Sequence, residues 1–245
     1  MIVCVGLATR DTLYRLPEFP ERDGRVIASE RVVAGGGPAA TAAVAIAKLG
    51  VPVRFVGIVD EDLPGVETVH IPGRMVESTI LVHGATRAIV TERPPSFTCP
   101  PEALEGAEWV HVDHVGYDAV PASRQARVSV DGGFPIPELD MSKIDLYAPP
   151  ADLDDGRRAK LTVVTRGADG CTAYTEDGEV TVPGYPVDDM VSTLGAGDVF
   201  HGALLAAFVR GLDLLAALEK ANTAAALSCR ALDGRSAIPT WDELP

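Results

Sequence analysis

Four consecutive residues, Gly195, Ala196, Gly197 and Asp198, combine the two things that transfer of a phosphoryl group needs. The glycines leave backbone N–H groups uncovered for close approach by an anion, and Asp198 stands beside that anion as a proton acceptor. The flanking sequence positions them. Val199 to Val209 carries apolar residues at helical spacing and stops at Arg210-Gly211, a cationic last turn followed by a glycine. The first N–H groups of a helix are unpaired and the dipole there is positive, so such a start favours a phosphate. For these four residues alone, a glycine-rich turn whose acid merely answers the dipole is the plainer alternative.

Other candidates are spread along the chain. Asp11 follows an apolar first strand, Ile2 to Gly6, at the place where α/β proteins put ligand-contacting groups, although Asp is also common in turns. Gly35, Gly36 and Gly37 precede Pro38 and an Ala-rich helix that stops at Gly50. Gly35, Gly37 and Ala39-Ala40 can also be written GxGxxA, with Asp60 at the end of the next strand, which is the pattern of a dinucleotide fold. Against that rival, the glycines do not follow the first strand. Thr165-Arg166-Gly167-Ala168-Asp169-Gly170 forms a turn, after which Cys171 to Pro183 reads as a hairpin over Glu176-Asp177-Gly178. His111 and His114 invite a metal reading, but a spacing of three on a strand points them to opposite faces.

The string STLGAGDVF with His201-Gly202-Ala203 resembles the C-terminal signature of the PfkB (ribokinase-like) sugar kinases, and GGGPAATAAVA resembles their N-terminal signature, in a form most like the sulfofructose kinase branch. The resemblance implies a three-layer α/β/α ribokinase-like fold, a single kinase domain over residues 1–245, and ATP-dependent phosphorylation of a primary hydroxyl on a ketose-like sugar. A nucleoside kinase of the same family and a non-catalytic sugar- or nucleotide-binding relative are the alternatives. It further implies that Asp198 is the base and Gly195, Ala196 and Gly197 the anion hole. Asp11, Gly35, Gly36, Gly37, Thr41 and Arg25 would meet the sugar, Arg25 at its anionic end. Thr165, Arg166, Gly167, Gly170, Thr193, Gly195, Gly197 and Asn222 would meet the nucleotide.

Further expectations follow from the same resemblance. Lid strands come from about residues 12–34, including Arg25-Val26-Ile27-Ala28 and Arg31-Val32-Val33-Ala34, and from about 78–92, as a hairpin of Ser78 to His83 and Arg87 to Thr91 around Gly84. The lid covers the sugar and joins two copies into a homodimer. Mg²⁺ bridges the ATP phosphates, but the family's NxxE motif is missing, and so are stretches after Asp62 and Pro149. The metal ligands therefore stay open. Ser192 stands where many members have the Asp of a monovalent-cation site, so potassium dependence is expected to be weak or absent.

Composition limits the remaining possibilities. A chain of 245 residues with 47% hydrophobic and 23% charged residues suits one large α/β domain. The start, MIVCVGLATRD, has no basic segment ahead of an apolar run and reads as a strand, giving the expectation of a cytoplasmic protein. Four cysteines without a CxxC pair argue against a disulfide framework or a cysteine zinc site. A net charge of −14 disfavours nucleic acid and anionic membranes as partners. GxxxxGK[ST] does not occur, so a nucleotide would need another cradle.

Overall fold

In a computed structural model, which describes residues 1–84, 86–121 and 125–245, two sheets divide the chain. The larger has nine strands. Four of them, β1 (Ile2–Val5), β4 (Val53–Gly57), β5 (Glu67–His70) and β8 (Trp109–Val112), form one side, and the other side holds β9 (Arg127–Asp131), β10 (Leu146–Ala148), β11 (Leu161–Thr165), β12 (Cys171–Thr175) and β13 (Gly178–Val182). Their spatial order is β13-β12-β11-β10-β9-β8-β1-β4-β5. All neighbours are parallel except β11–β12 and β12–β13, which form the hairpin expected over Glu176 to Gly178. Near-continuous burial of IVCV in β1 and WVHV in β8 is what a parallel sheet covered on both faces requires.

Alternation along the strands sorts the core. Ile2 and Cys4 face one cluster with Phe55, Leu146 and Val163, while Val3 and Val5 face another with Val56, Val110, Val128 and Val130. On the first face lie three helices, α1 (Pro38–Lys48), α3 (Ala196–Val209) and α4 (Leu214–Ser228). The second face is covered by α2 (Gly116–Ala119), by single turns at Pro101–Leu104 and Met141–Lys143, and by loop residues such as Phe97 and Ile136. The architecture is ribokinase-like, with one of its two helical layers reduced to turns. The contractions expected after Asp62 and Pro149 fall here. β4 passes to parallel β5, and β10 to parallel β11, with no helix between them.

The smaller sheet is the lid, in the order β3-β2-β6-β7, from β2 (Thr9–Arg15), β3 (Glu30–Gly36), β6 (Val76–His83) and β7 (Thr86–Thr91). Its inner face buries Leu13, Ile80 and Val82 with Leu232, against Val191 and Leu194. The expected hairpin of β6 and β7 is present, with Gly84 at φ 54. The expected strand at Arg25–Ala28 is not. Residues 25–28 have no regular structure, and the first lid strand is instead Thr9–Arg15, starting before Asp11. Thr9, Asp11 and Leu13 are its inward residues, so a period-2 pattern with two polar members was hidden from a reading by hydrophobicity. All four cysteines are buried and free. Among the described residues, no helix is long and apolar enough to cross a membrane.

Candidate active site

Helix α3 begins at Gly195, whose φ of 74 is left-handed and whose side has no room for a Cβ, since one would come 2.9 Å from Gly234 Cα in the closing turn. No side chain caps this helix. The regular ladder starts when Val199 N donates to Gly195 O at 2.9 Å, so the amides of Gly197 and Asp198 lie ahead of it in the first turn. A Cβ on Gly197 would meet nothing within 4 Å. The amide edge of the helix start is therefore open toward a cleft of about 1010 Å³, which Thr193, Gly195, Ala196, Gly197, Asp198 and Asp11 all line.

Asp198 is half-buried at this start. Burial first, and the charge of Asp131 second, push its pKa up to about 7. A carboxyl that gains and loses its proton near neutrality suits a general base. Asp11 sits across the cleft on β2, 6% exposed, with Oδ1 lacking any hydrogen-bond partner among the described residues. Burial raises its pKa as well. It is thus a strand residue and not a turn residue, and its free oxygen is the feature a ligand hydroxyl would satisfy.

The glycines that end β3, Gly35 and Gly36, serve this carboxylate indirectly. A Cβ on Gly36 would fall 2.0 Å from Asp11 Oδ2, and one on Gly35 would fall 2.5 Å from Arg235 Nη1. Gly37, at φ 90, lines the cleft beside Leu7 and Pro38. Thr41 does not. It is 2% exposed, and its Oγ1 accepts from Arg235 Nε at 3.1 Å, while Arg235 Nη2 donates to Gly36 O at 2.5 Å. Arg235 was missed because it lies near the end of the sequence, 199 positions from Gly36. Burial lowers its pKa to about 10, against the raising charges of Asp11, Asp198 and Asp233, so it remains a guanidinium.

On the opposite side of the cleft, Thr165, Arg166 and Gly167 follow β11, and a Cβ on Gly167 would find open space. Arg166 Nη1 donates to Thr172 Oγ1 at 2.5 Å. Gly170 is not in the lining. At φ 89 it lets Val182 O approach within 2.1 Å of a would-be Cβ, which is a packing role in the hairpin. Asn222 also stands elsewhere than expected. Its amide donates to Pro183 O at 3.0 Å and is absent from the cleft wall, because the carbonyls at the end of β13 consume its donors. Arg25 is exposed on the loop before β3 and does not reach the cleft. The lid arginine that does is Arg87, whose Nη1 donates to Thr193 Oγ1 at 2.9 Å.

Beneath Asp198 lies a buried polar cluster. His201, one turn further along α3, and Asp131, at the end of β9, both line the cleft, and His111 on β8 is fully buried behind them. One ring nitrogen from each histidine and one Asp131 oxygen lie within 4.8 Å of one another. Burial lowers the His111 pKa to about 3, with His201 adding to it. Burial would raise Asp131, but His201, His111 and the Gly133 N–H together outweigh it and hold the carboxyl at about 2. His114 is apart from this cluster because it lies past the end of β8 in a turn, not on the strand as expected, with its ring centroid 4.5 Å from that of Phe134.

The sequence profile of the pfkB family carbohydrate kinases matches residues 152–241, the part of the chain that holds α3, its cradle and the closing turn. Over these residues the chain resembles the PfkB carbohydrate kinases. Over its full length it is similar to an ATP-dependent ribose-1-phosphate kinase of Halopiger xanaduensis, 26% identical across 98% of this chain and 95% of the relative. It is also similar to ribokinase of Bacillus subtilis, 27% identical across 99% and 97%. Its fold superposes on that of Arabidopsis thaliana ribokinase complexed with ribose and ATP, with a TM-score of 0.79 at 20% identity over 98% of this chain and 96% of that one. The alignment with the Halopiger protein extends over 284 positions, more than the 245 residues present here, so it carries gaps in this chain.

Proposed function

We propose that this protein is an ATP-dependent kinase that transfers the γ-phosphate to a primary hydroxyl of a sugar or sugar derivative. The observation that carries the reading is the opposition, across one cleft, of an open helix start bearing Asp198 and a lid carboxylate, Asp11, with an unsatisfied oxygen. Asp11 accepts from sugar hydroxyls and fixes the acceptor. Asp198 takes the proton from the attacking hydroxyl, and the amides of Gly195 to Gly197 stabilise the charge on the transferring group. Thr165, Arg166, Gly167 and Thr193 border the nucleotide. A magnesium ion, when bound with ATP, neutralises the phosphates. It needs oxygen donors, and the carboxylate of Asp152 in the cleft lining supplies one.

Arg87, the lid arginine in the cleft lining, supports acceptance of an anionic sugar such as a sugar phosphate or sulfonate. A homodimer through the lid is part of the same reading, supported by the exposed Val90 of β7 and Ile27 of the neighbouring loop, at 69% and 83% exposure. The test is ATP consumption with a panel of ketoses, aldoses, sugar phosphates, sulfosugars and nucleosides. Acceptor-dependent turnover with a sugar is expected. Turnover with nucleosides alone, or tight ATP binding with no turnover on any acceptor, overturns it.

A further inference from the structure

We infer that His111, Asp131 and His201 form a binding site for one divalent transition-metal ion, distinct from any magnesium that accompanies a nucleotide. The donors come from three elements, β8, β9 and α3, and are 0%, 4% and 5% exposed. His201 Nε2 lies 3.1 Å from Ala148 O, and a carbonyl only accepts, so that nitrogen carries hydrogen. The other nitrogen, Nδ1, lies 3.2 Å from Asp131 Oδ2, within ion-pair distance but without hydrogen-bond geometry. His111 repeats the arrangement, with Nδ1 3.1 Å from Ser129 Oγ and Nε2 buried without a partner.

Two buried ring nitrogens that lack a hydrogen-bond partner among the described residues, grouped with one carboxylate, share one simple solution, a cation between them. Metal-bound histidines typically hold their second nitrogen on a backbone carbonyl or similar group, as both do here. Donors around a tetrahedral ion at ~2.0–2.1 Å sit roughly 3.3 Å apart. Asp131 and His201 already have that spacing, and the 4.8 Å limit of the set leaves only a side-chain adjustment of roughly 1.5 Å or less. Two imidazoles and one carboxylate select Zn²⁺, Co²⁺, Fe²⁺ or Mn²⁺ over Mg²⁺, which prefers oxygen. Three protein donors leave a coordination position free, on the side of the cleft that Asp131 and His201 line. The ion would tie β8 and β9 to the first turns of α3.

The inference is independent of the kinase assignment and is tested without activity. Chelator-treated protein is titrated with Co²⁺, read by visible absorption, and with Zn²⁺, read by elemental analysis after gel filtration and by thermal unfolding. One ion per chain, a low-symmetry Co²⁺ spectrum that Zn²⁺ abolishes and excess Mg²⁺ does not, and a higher unfolding midpoint with Zn²⁺ are expected. His111→Gln and Asp131→Asn keep size and shape, and each should weaken Zn²⁺ binding by at least about 100-fold. Thermal unfolding identifies which variants fold. Absence of binding to folded wild-type protein, or unchanged stoichiometry and affinity in a folded variant, overturns the site.

Discussion

The two faces of the nine-stranded sheet are built to different standards. One carries α1, α3 and α4 with a continuous core from Ile2 to Leu244, and the other is closed by a four-residue helix, single turns and loops. The chemistry sits with the helices. An anion cradle needs a long helix because its amides and dipole must be held at a fixed angle, whereas Val3, Val5, Val110 and Val130 need only apolar cover, which Ala103, Tyr117, Ile136 and Leu139 supply. A chain of this fold can therefore have few helices on the second face and keep the cradle.

The sharpest way to break that comparison is at Asp198. Asp198→Asn keeps the shape of the helix start and removes the base, so kcat should fall by roughly 10² to 10⁴ with the unfolding midpoint nearly unchanged. Near-normal kcat in the folded variant would reduce Asp198 to a dipole-answering residue. Next comes Asp11, whose loss should act on binding. Asp11→Ala should raise KM for the sugar by roughly 10- to 100-fold, the worth of hydrogen bonds to a charged group, with kcat much less affected. Gly36→Ala should reproduce part of this, since its Cβ would displace the carboxylate. A fall in kcat alone would contradict the assignment.

On the second face, Ile144→Ala removes a fully buried side chain and should cost about 2–5 kcal/mol in urea unfolding while kcat of the folded protein is retained. Leu204→Ala, equally buried in α3, should cost as much stability and lower kcat too. Equal kinetic damage from both would dissolve the distinction between the faces. In pH, kcat/KM should rise through about 7 as Asp198 loses its proton. The stability sign is opposite. A carboxyl whose pKa is raised by folding stabilises the protein fully below the unfolded value, and that contribution is lost as pH rises through about 7. The smallest effect concerns potassium. Ser192 is 3% exposed, and its hydroxyl accepts from Leu194 N at 3.2 Å, so KCl at constant ionic strength should change the rate little.

What could be read from the sequence was what is local in it. Gly195 to Asp198 and the helix behind them form one contiguous string, and the hairpin of Cys171 to Pro183 is signalled by its own turn at Glu176 to Gly178. Residues that converge from distant segments stayed hidden. Arg235 reaches Gly36 from the far end of the chain, Arg87 meets Thr193 from the lid, and Asp131 meets His111 and His201 only once β8, β9 and α3 are assembled. Asn222 and Thr41 were placed by position in a motif, and the structure occupies their polar groups with Pro183 O and Arg235. Strand β5, Glu67–His70, was not anticipated, because ETVH at a sheet edge has no apolar period.

A single buried carboxylate ties one half of the lid to the frame. Asp113 accepts from Leu7 N at 2.7 Å and Ala39 N at 3.2 Å with one oxygen, and from Val115 N and Gly116 N, both at 2.9 Å, with the other. Leu7 is where the chain first leaves the main sheet for the lid, and Gly37-Pro38 is where it first returns. Both ends of the β2–β3 pair are thus riveted to one point, whereas β6 and β7 join the lid through separate segments before Val76 and after Thr91. The strand that carries Asp11 therefore has an anchor on the frame that the strand carrying Arg87 does not share.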